Sequence, residues 1–399
     1  MHRTGVAVTG QGALSTLGLG LAENLAALFA DRRPPLPPRR FRLDHRLNYP
    51  VFELPPSPFD NDRHELSRTS RLGLEAARQA LADAGREPAE LAGLRVGICL
   101  GTTVGGTLNS EPFYRAWRRR ENPSLEPVKR FLRSNPADVV ARTFNLPSSS
   151  PCQTVVNACT SGADAIGIGS GWIRSGICDL VLAGGCDELC RTICNGFISL
   201  MVVDEAPCRP FDRRRKGLNL GEGAAVMVLE AETVAKAKGA DRIKGRVAGY
   251  GTACDAWHLT APHPEGRGLR QAFRQALQEA GAEVEDISFI NAHGTATANN
   301  DLTEGRVLRE TAPGIAFFST KGFTGHTLGA AGALEAVFTL EMLNRGRIPA
   351  SAGFSETDPE IGIEPTLTEQ AVSGDLALSQ SLAFGGNNAV LAFSREKSR

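Results

Sequence analysis

Apolar residues along this chain fall into two rhythms. Short runs rich in β-branched residues mark buried strands, and longer segments with apolar positions three and four apart mark helices. Residues 5–10 (GVAVTG) predict a first strand and 19–30 a helix. Residues 67–84 are amphipathic and run into Gly85, which suits a helix C-terminus. Two further apolar runs, 94–100 (LRVGICL) and 179–184 (DLVLAG), predict buried strands. Between them, 115–136 is charged and reads as loop, and the proline run at 31–40 reads as a stiff surface loop. Later strands are expected at 287–292 and 315–319, with a strand pair around a glycine turn within 378–393.

The pattern repeats. Arg78-Gln79-Ala80-Leu81 leads to Ala84-Gly85, a strand, and Gly101-Thr102; Arg274-Gln275-Ala276-Leu277 leads to Ala280-Gly281, a strand, and Gly294-Thr295. Alternating strands and helices in two similar runs imply α/β units whose sheets are covered by helices. The boundary is placed near residue 240, in the charged stretch 236–244, which divides the chain into halves 1–240 and 241–399.

Residues 154–173 (TVVNACTSGADAIGIGSGWI) organise the rest. A short apolar strand turns at Asn157-Ala158, presents Cys159, and enters a helix whose Gly167, Gly169 and Gly171 permit close packing. A cysteine at a helix N-terminus meets free N–H groups and a partial positive charge, which favour thiolate. A buried inert thiol is the bland alternative. Two other strand ends carry chemistry: His293 in NAHGTAT, and Lys321 with His326 in STKGFTGH. Functional groups in α/β folds gather at strand C-termini.

Bulk composition narrows the classes. Hydrophobic residues make up 42% of the 399 and charged residues 22%, enough for a large core. Lys+Arg and Asp+Glu are both 44, so no global charge points to nucleic acid or an anionic membrane. The nine cysteines are an odd number without a short disulfide framework and read as reduced thiols of a cytoplasmic protein. No leader-like segment and no bilayer-length apolar run is evident. Cys186, Cys190 and Cys194, four apart, read as buried thiols at helical spacing rather than a metal site, and no metal is expected. No GxGxxG after a strand and no GxxxxGK[ST] occurs, so nucleotide binding is unsupported.

Five motifs in order carry a family resemblance: NACTSGADA at Cys159, RPFDRRRKGLNLGEGAA at 209–225, NAHGTATANND at His293, STKGFTGHTLGAAGALEA at Lys321 and His326, and AFGGNNA at Phe384. The chain resembles a β-ketoacyl-acyl carrier protein synthase of the elongating Cys-His-His type, in the thiolase superfamily. That resemblance implies a thiolase fold of five layers, αβαβα, built from two pseudo-symmetric halves. It implies decarboxylative condensation of an acyl group held on Cys159 with malonyl-acyl carrier protein, giving a 3-oxoacyl product in fatty-acid or in type II polyketide or aryl-polyene-like synthesis. His293 and His326 would act as neutral Nε donors to the thioester oxygen, and the N–H groups of Cys159 and Phe384 would form the second oxyanion site. Lys321 would order the histidine pair; its bland alternative is a buried salt bridge to Glu304. Asp301 and Glu304 look structural, with a water-organising role as a further reading. Thr295 and Thr297 match pantetheine-contacting positions, or else cap a strand end. Gly385 and Gly386 belong to the gate turn, and Val104 matches the far end of the acyl pocket. No resident cofactor is implied, since substrates arrive on the phosphopantetheine arm of acyl carrier protein. The implied assembly is a homodimer, or a heterodimer with a non-catalytic chain-length-factor paralogue.

Departures from the family pattern matter as well. Leu382 and Ala383 precede Phe384 where Phe and Gly are usual, which stiffens the gate. Met201-Val202-Val203 stands where relatives often carry a basic loop, leaving Arg213-Arg214-Arg215-Lys216, Lys129-Arg130 and Arg118-Arg119-Arg120 as docking candidates for an acidic carrier. A thiolase would need a second cysteine near the C-terminus, and an initiating synthase an Asn in place of His326.

Overall fold

The computed structural model describes residues 4–30, 33–61, 65–103, 110–239 and 242–396. In the first half, β1 (Val6–Leu14) is followed by α1 (Leu21–Leu28), α2 (Arg68–Asp83) and β2 (Val96–Gly101). Three short helices come next, α3 (Glu111–Arg118), α4 (Glu126–Arg133) and α5 (Pro136–Thr143), before β3 (Cys152–Val155). Then come α6 (Ser161–Arg174), β4 (Leu180–Asp187), α7 (Arg191–Ser199), β5 (Gly223–Ala231) and α8 (Glu232–Lys238). The second half runs β6 (Gly245–Cys254), α9 (Arg267–Ala280), β7 (Ile287–Asn291), α10 (Ala298–Thr311) and β8 (Phe317–Phe318). It continues with α11 (Lys321–Thr324), α12 (Ala331–Arg345), the short pair β9 (Arg347–Ile348) and β10 (Gln370–Ala371), then β11 (Leu376–Leu382) and β12 (Asn387–Ser394).

Strand order exposes the duplication. It reads β3-β2-β4-β5-β1 through the first half and continues β6-β12-β11-β7-β8 through the second. Reading inward from each outer edge, the two halves pair their strands in the same sequence and sense. β2 is parallel to β3 and β4, as β7 is to β8 and β11, while the two innermost pairings of each half are antiparallel. The halves join where Ala7 and Val8 of β1 pair with Arg246 and Gly245 of β6.

The layers follow from which helix faces are apolar. α2 and α5 cover the outer face of the first half, and α9 with α10 covers the outer face of the second. Between the sheets lie α6 and α12, each touching strands of both halves and each other. They are almost wholly buried, so their sequences are small or apolar all round rather than amphipathic. Their contact requires glycine: a Cβ on Gly162 would fall 2.7 Å from the Gly329 carbonyl oxygen, and one on Gly332 would fall 2.9 Å from Ala163. Of the three glycines singled out in the sequence, Gly167 takes the Tyr250 ring and Gly169 abuts Val181 and Ala183, while Gly171 faces open space. This is the αβαβα thiolase fold.

One expectation is corrected. Residues 115–136 are not loop, because α3 and α4 occupy most of them. Each opens with a proline in its first turn and ends in arginines that suit the helix dipole, a signal hidden by their short length and high charge.

Candidate active site

Two of the candidate residues, Cys159 and His326, lie just before the two central helices. Cys159 sits in a 3-10 turn, Ala158–Thr160, directly before α6. The matching turn in the second half, Leu328–Ala330, precedes α12 and follows His326 by one residue. Both turns open on a non-glycine residue with positive φ, Ala158 at 49° and Leu328 at 58°, and Ala296, after His293, has φ 66°. Such conformations cost energy and concentrate where a chain is bent to aim functional groups.

These bends bring four sequence-selected residues together. His326 Nε2 lies 3.0 Å from Cys159 Sγ. The His293 and His326 rings meet edge to face with centroids 5.3 Å apart. Lys321 Nζ lies 3.1 Å from His293 Nδ1. All four side chains are buried, with Cys159 5% exposed and lining a cleft of about 230 Å³ that both histidines also line.

Hydrogen bonding assigns the tautomers. The Leu328 N–H donates to His326 Nδ1, and the Lys321 ammonium donates to His293 Nδ1. A neutral imidazole that accepts at Nδ1 carries its proton on Nε2. Burial, with the Lys321 charge beside them, holds both imidazoles well below the ordinary histidine range. The result is two neutral Nε2–H donors.

For the thiol the balance differs from the sequence expectation. Burial pushes Cys159 up to about 12, against the opposing pull of the Lys321 charge and the Phe384 backbone N–H. Desolvation therefore outweighs the helix terminus in the resting state.

Supporting carboxylates hold the loops. Glu304 accepts from the N–H groups of His293 at 2.7 Å and Gly294 at 2.8 Å. Asp301 accepts from the N–H of Phe211 at 2.6 Å and of Ala296 at 3.1 Å. The salt bridge offered for Lys321 and Glu304 is not formed; Lys321 pairs with Glu335 of α12. Glu335 was not singled out, although a lone acid in the apolar run GALEAVF is the mark of a buried paired charge. Asp187, at the end of β4, was also missed. It accepts from Thr102 Oγ1, Thr103 N–H and Oγ1, and Gly329 N–H, tying the two halves at 2.6–2.8 Å.

Part of the motif at 209–225 holds the backbone at His326. The Asn219 carbonyl accepts from the His326 N–H at 2.8 Å, and the Gly221 N–H donates to the His326 carbonyl at 2.9 Å. Thr295 and Thr297 line the cleft with hydroxyls 2.9 Å apart, and Thr297 makes no side-chain cap to α10. Phe384 stacks on Phe197 of α7, with centroids 5.6 Å apart. Gly385 and Gly386 take φ of 85° and 81°, which requires glycine in this turn. Phe197 carried no signal in the sequence, because only the fold brings it to Phe384. Val104 lies outside the described residues. Cys186, Cys190 and Cys194 do not share a helix: the first is on β4, the second precedes α7 and the third lies within it. Among the described residues no group of three or more metal-ligating side chains occurs. Nor, among these residues, is any helix long and apolar enough to cross a membrane.

Known proteins resemble this chain over its length. Residues 5–235 match the model of the beta-ketoacyl synthase N-terminal domain, and residues 244–355 match that of the C-terminal domain. The 3-oxoacyl-[acyl-carrier-protein] synthase 2 of Synechocystis sp. is 33% identical over 417 residues, covering 99% of each chain. Among solved structures, the ishigamide ketosynthase/chain length factor is similar with a TM-score of 0.91 at 33% identity, over 99% of this chain and 100% of that one. A ketosynthase in complex with its chain length factor from Xenorhabdus doucetiae gives a TM-score of 0.81 at 27% identity, over 98% of each. With both domain models matched and a relative spanning the whole length, the chain belongs to the beta-ketoacyl synthase family.

Proposed function

We infer that this chain catalyses the decarboxylative Claisen condensation of an acyl thioester with malonyl-acyl carrier protein, yielding 3-oxoacyl-acyl carrier protein. In the first step Cys159 sulfur attacks the incoming thioester, a carrier thiol leaves, and the acyl group stays on Cys159. The oxyanion formed there is met by the N–H groups of Cys159 and Phe384. In the second step malonyl thioester loses carbon dioxide, and the electron pair of the broken C–C bond passes into an enolate. Two Nε2–H donors, His293 and His326, receive that charge at the thioester oxygen. Neutral donors suit the step, because they stabilise developing charge without protonating the carbanion. The enolate carbon then attacks the Cys159 acyl group, forming the C–C bond and releasing the Cys159 thiolate, which regains a proton.

The observation that carries the reading is the approach of His326 Nε2 to Cys159 Sγ at 3.0 Å beneath an open cleft, with His293 alongside. Intact mass spectrometry after incubation with acyl-acyl carrier protein tests it. The wild type should gain the acyl mass and Cys159→Ala should not; an adduct persisting in that variant refutes the role of Cys159.

The division near residue 240, the absence of a resident cofactor, a cytoplasmic setting and acyl carrier protein as partner form part of the same proposal. Assembly is proposed as a dimer. Similarity to structures described as ketosynthase with chain length factor supports the reading in which the second subunit is a paralogue. Retention of Cys159 makes this chain the catalytic member. Sedimentation of the chain alone distinguishes the two: a self-dimer supports the homodimer, and a stable monomer that dimerises with a paralogue supports the other.

A further inference from the structure

The turn that carries Phe384 touches two segments that bear exposed apolar side chains. On one side the Phe384 ring rests on Phe197, and α7 then runs out into Leu200 and Met201. Met201 is 87% exposed and held at φ 57°, a conformation that non-glycine residues rarely adopt. On the other side the Gly385 N–H donates to the Leu259 carbonyl at 2.8 Å. The Leu259 side chain is 80% exposed, and Trp257, two residues before it, is exposed too. From Met201 the chain continues into the cleft wall at Val202, and from Leu259 into the cleft wall at Thr260, Ala261 and Pro262. Exposed apolar side chains thus border the opening that leads to Cys159. Isolated exposed apolar residues are ordinary, but a group of them around one opening marks a contact surface.

The charges beside this opening are already compensated. Arg213 pairs with Glu356 at 2.9 Å, Arg214 approaches Glu356 at 3.5 Å and Asp212 at 3.7 Å, and Arg215 pairs with Asp358 at 2.5 Å. Asp255, in the cleft lining, accepts the N–H groups of His263 and Gly268. Lys216 lines the cleft, is exposed, and has no ion pair among the described residues. Of the three basic clusters read from the sequence, Arg213-Arg214-Arg215-Lys216 therefore offers one uncommitted cation instead of a patch, while in the other two Arg119 pairs with Glu121 and Lys129 with Glu126.

We propose that Leu200, Met201, Trp257 and Leu259 form the docking rim for the carrier protein, gripping an apolar face of it, with Lys216 as the single anchor for the phosphodiester of the pantetheine arm. The proposal rests on the condensing reading above. The occupant follows from position: a thioester on a tethered arm reaches the deeply set Cys159 through this opening, so the protein holding the arm must sit on the rim. Apolar contact gives affinity with little salt dependence, whereas docking through many ion pairs weakens steeply as salt screens them.

The test compares one acyl group on two supports, the carrier protein and N-acetylcysteamine, which has neither protein surface nor phosphate. Its readout is the ratio of kcat/KM for the two. Met201→Glu and Leu259→Glu should each lower that ratio about tenfold or more, and Lys216→Ala about threefold. For the wild type, kcat/KM with the carrier should fall less than about threefold between about 50 and 500 mM salt. An unchanged ratio in both glutamate variants, or a tenfold loss with salt, overturns the proposal. So does a change of oligomeric state in those variants without a change of ratio, which would make the rim a contact with a second copy of the chain. If neither support acylates Cys159, the condensing reading itself fails, an outcome distinct from the other three.

Discussion

Replacing Lys321 with Met isolates the charge on which the histidine pair depends. The Lys321 and Glu335 side chains are 2% and 3% exposed, and the second Glu335 oxygen has no hydrogen-bond partner among the described residues. Removing one member of such a buried pair strands the other charge, which typically costs roughly 3–5 kcal/mol. Lys321→Met should therefore lose about that much stability in urea denaturation at pH 7. The sign of its pH dependence follows from Glu335, whose carboxyl burial already pushes up to about 7, with Lys321 pulling the other way. Without Lys321 it rises further. A carboxyl with a raised folded pKa penalises the fold above its unfolded value near 4.5. The deficit of the variant should thus widen as pH rises through 7 and narrow on acidification, by up to about 1.4 kcal/mol per pH unit. Lys321→Met/Glu335→Leu, which removes both charges, should recover at least half of the loss. Carbon dioxide release from malonyl thioester should fall about 10²-fold or more in the single and the double variant alike, because His293 Nδ1 has lost its donor in both. Residual decarboxylation should fade at a higher pH on the acid side than in the wild type, since both imidazoles regain basicity. A double variant no more stable than the single one would refute the pairing argument, and wild-type carbon dioxide release in the double variant would remove Lys321 from the mechanism.

Other substitutions probe separate parts of the site. His326→Ala should lower carbon dioxide release about 10²- to 10³-fold, measured with Cys159 intact, through loss of one donor to the enolate oxygen. Glu304→Ala leaves the His293 and Gly294 N–H groups unsatisfied and should cost about 1–3 kcal/mol for each in chemical denaturation, with Glu304→Gln losing less because one acceptor remains. Gly385→Ala forces a side chain to φ 85° and should cost about 1–2 kcal/mol in thermal or urea unfolding, while Ala383→Gly, at φ −134°, should be tolerated.

Much of this was legible because strand, turn and helix signals are local. The repeat around RQAL and its trailing glycine identified α2 and α9 as counterparts, and the two halves indeed share one strand order. α3 and α4 escaped because eight residues make only about two turns, too short a window to separate a helical period from a loop rich in charge.

For the site, the chain itself determined which residues could react, since cysteine, histidine and lysine at strand ends are the groups this chemistry uses. Their meeting was decided by the fold. Cys159 and His326 are separated by 167 positions and come within 3.0 Å only because α6 and α12 pack through glycines between two sheets. The partner of Lys321 and the pushed-up thiol were likewise beyond local reading. Both depend on burial, and burial belongs to the assembled layers, not to neighbours along the chain.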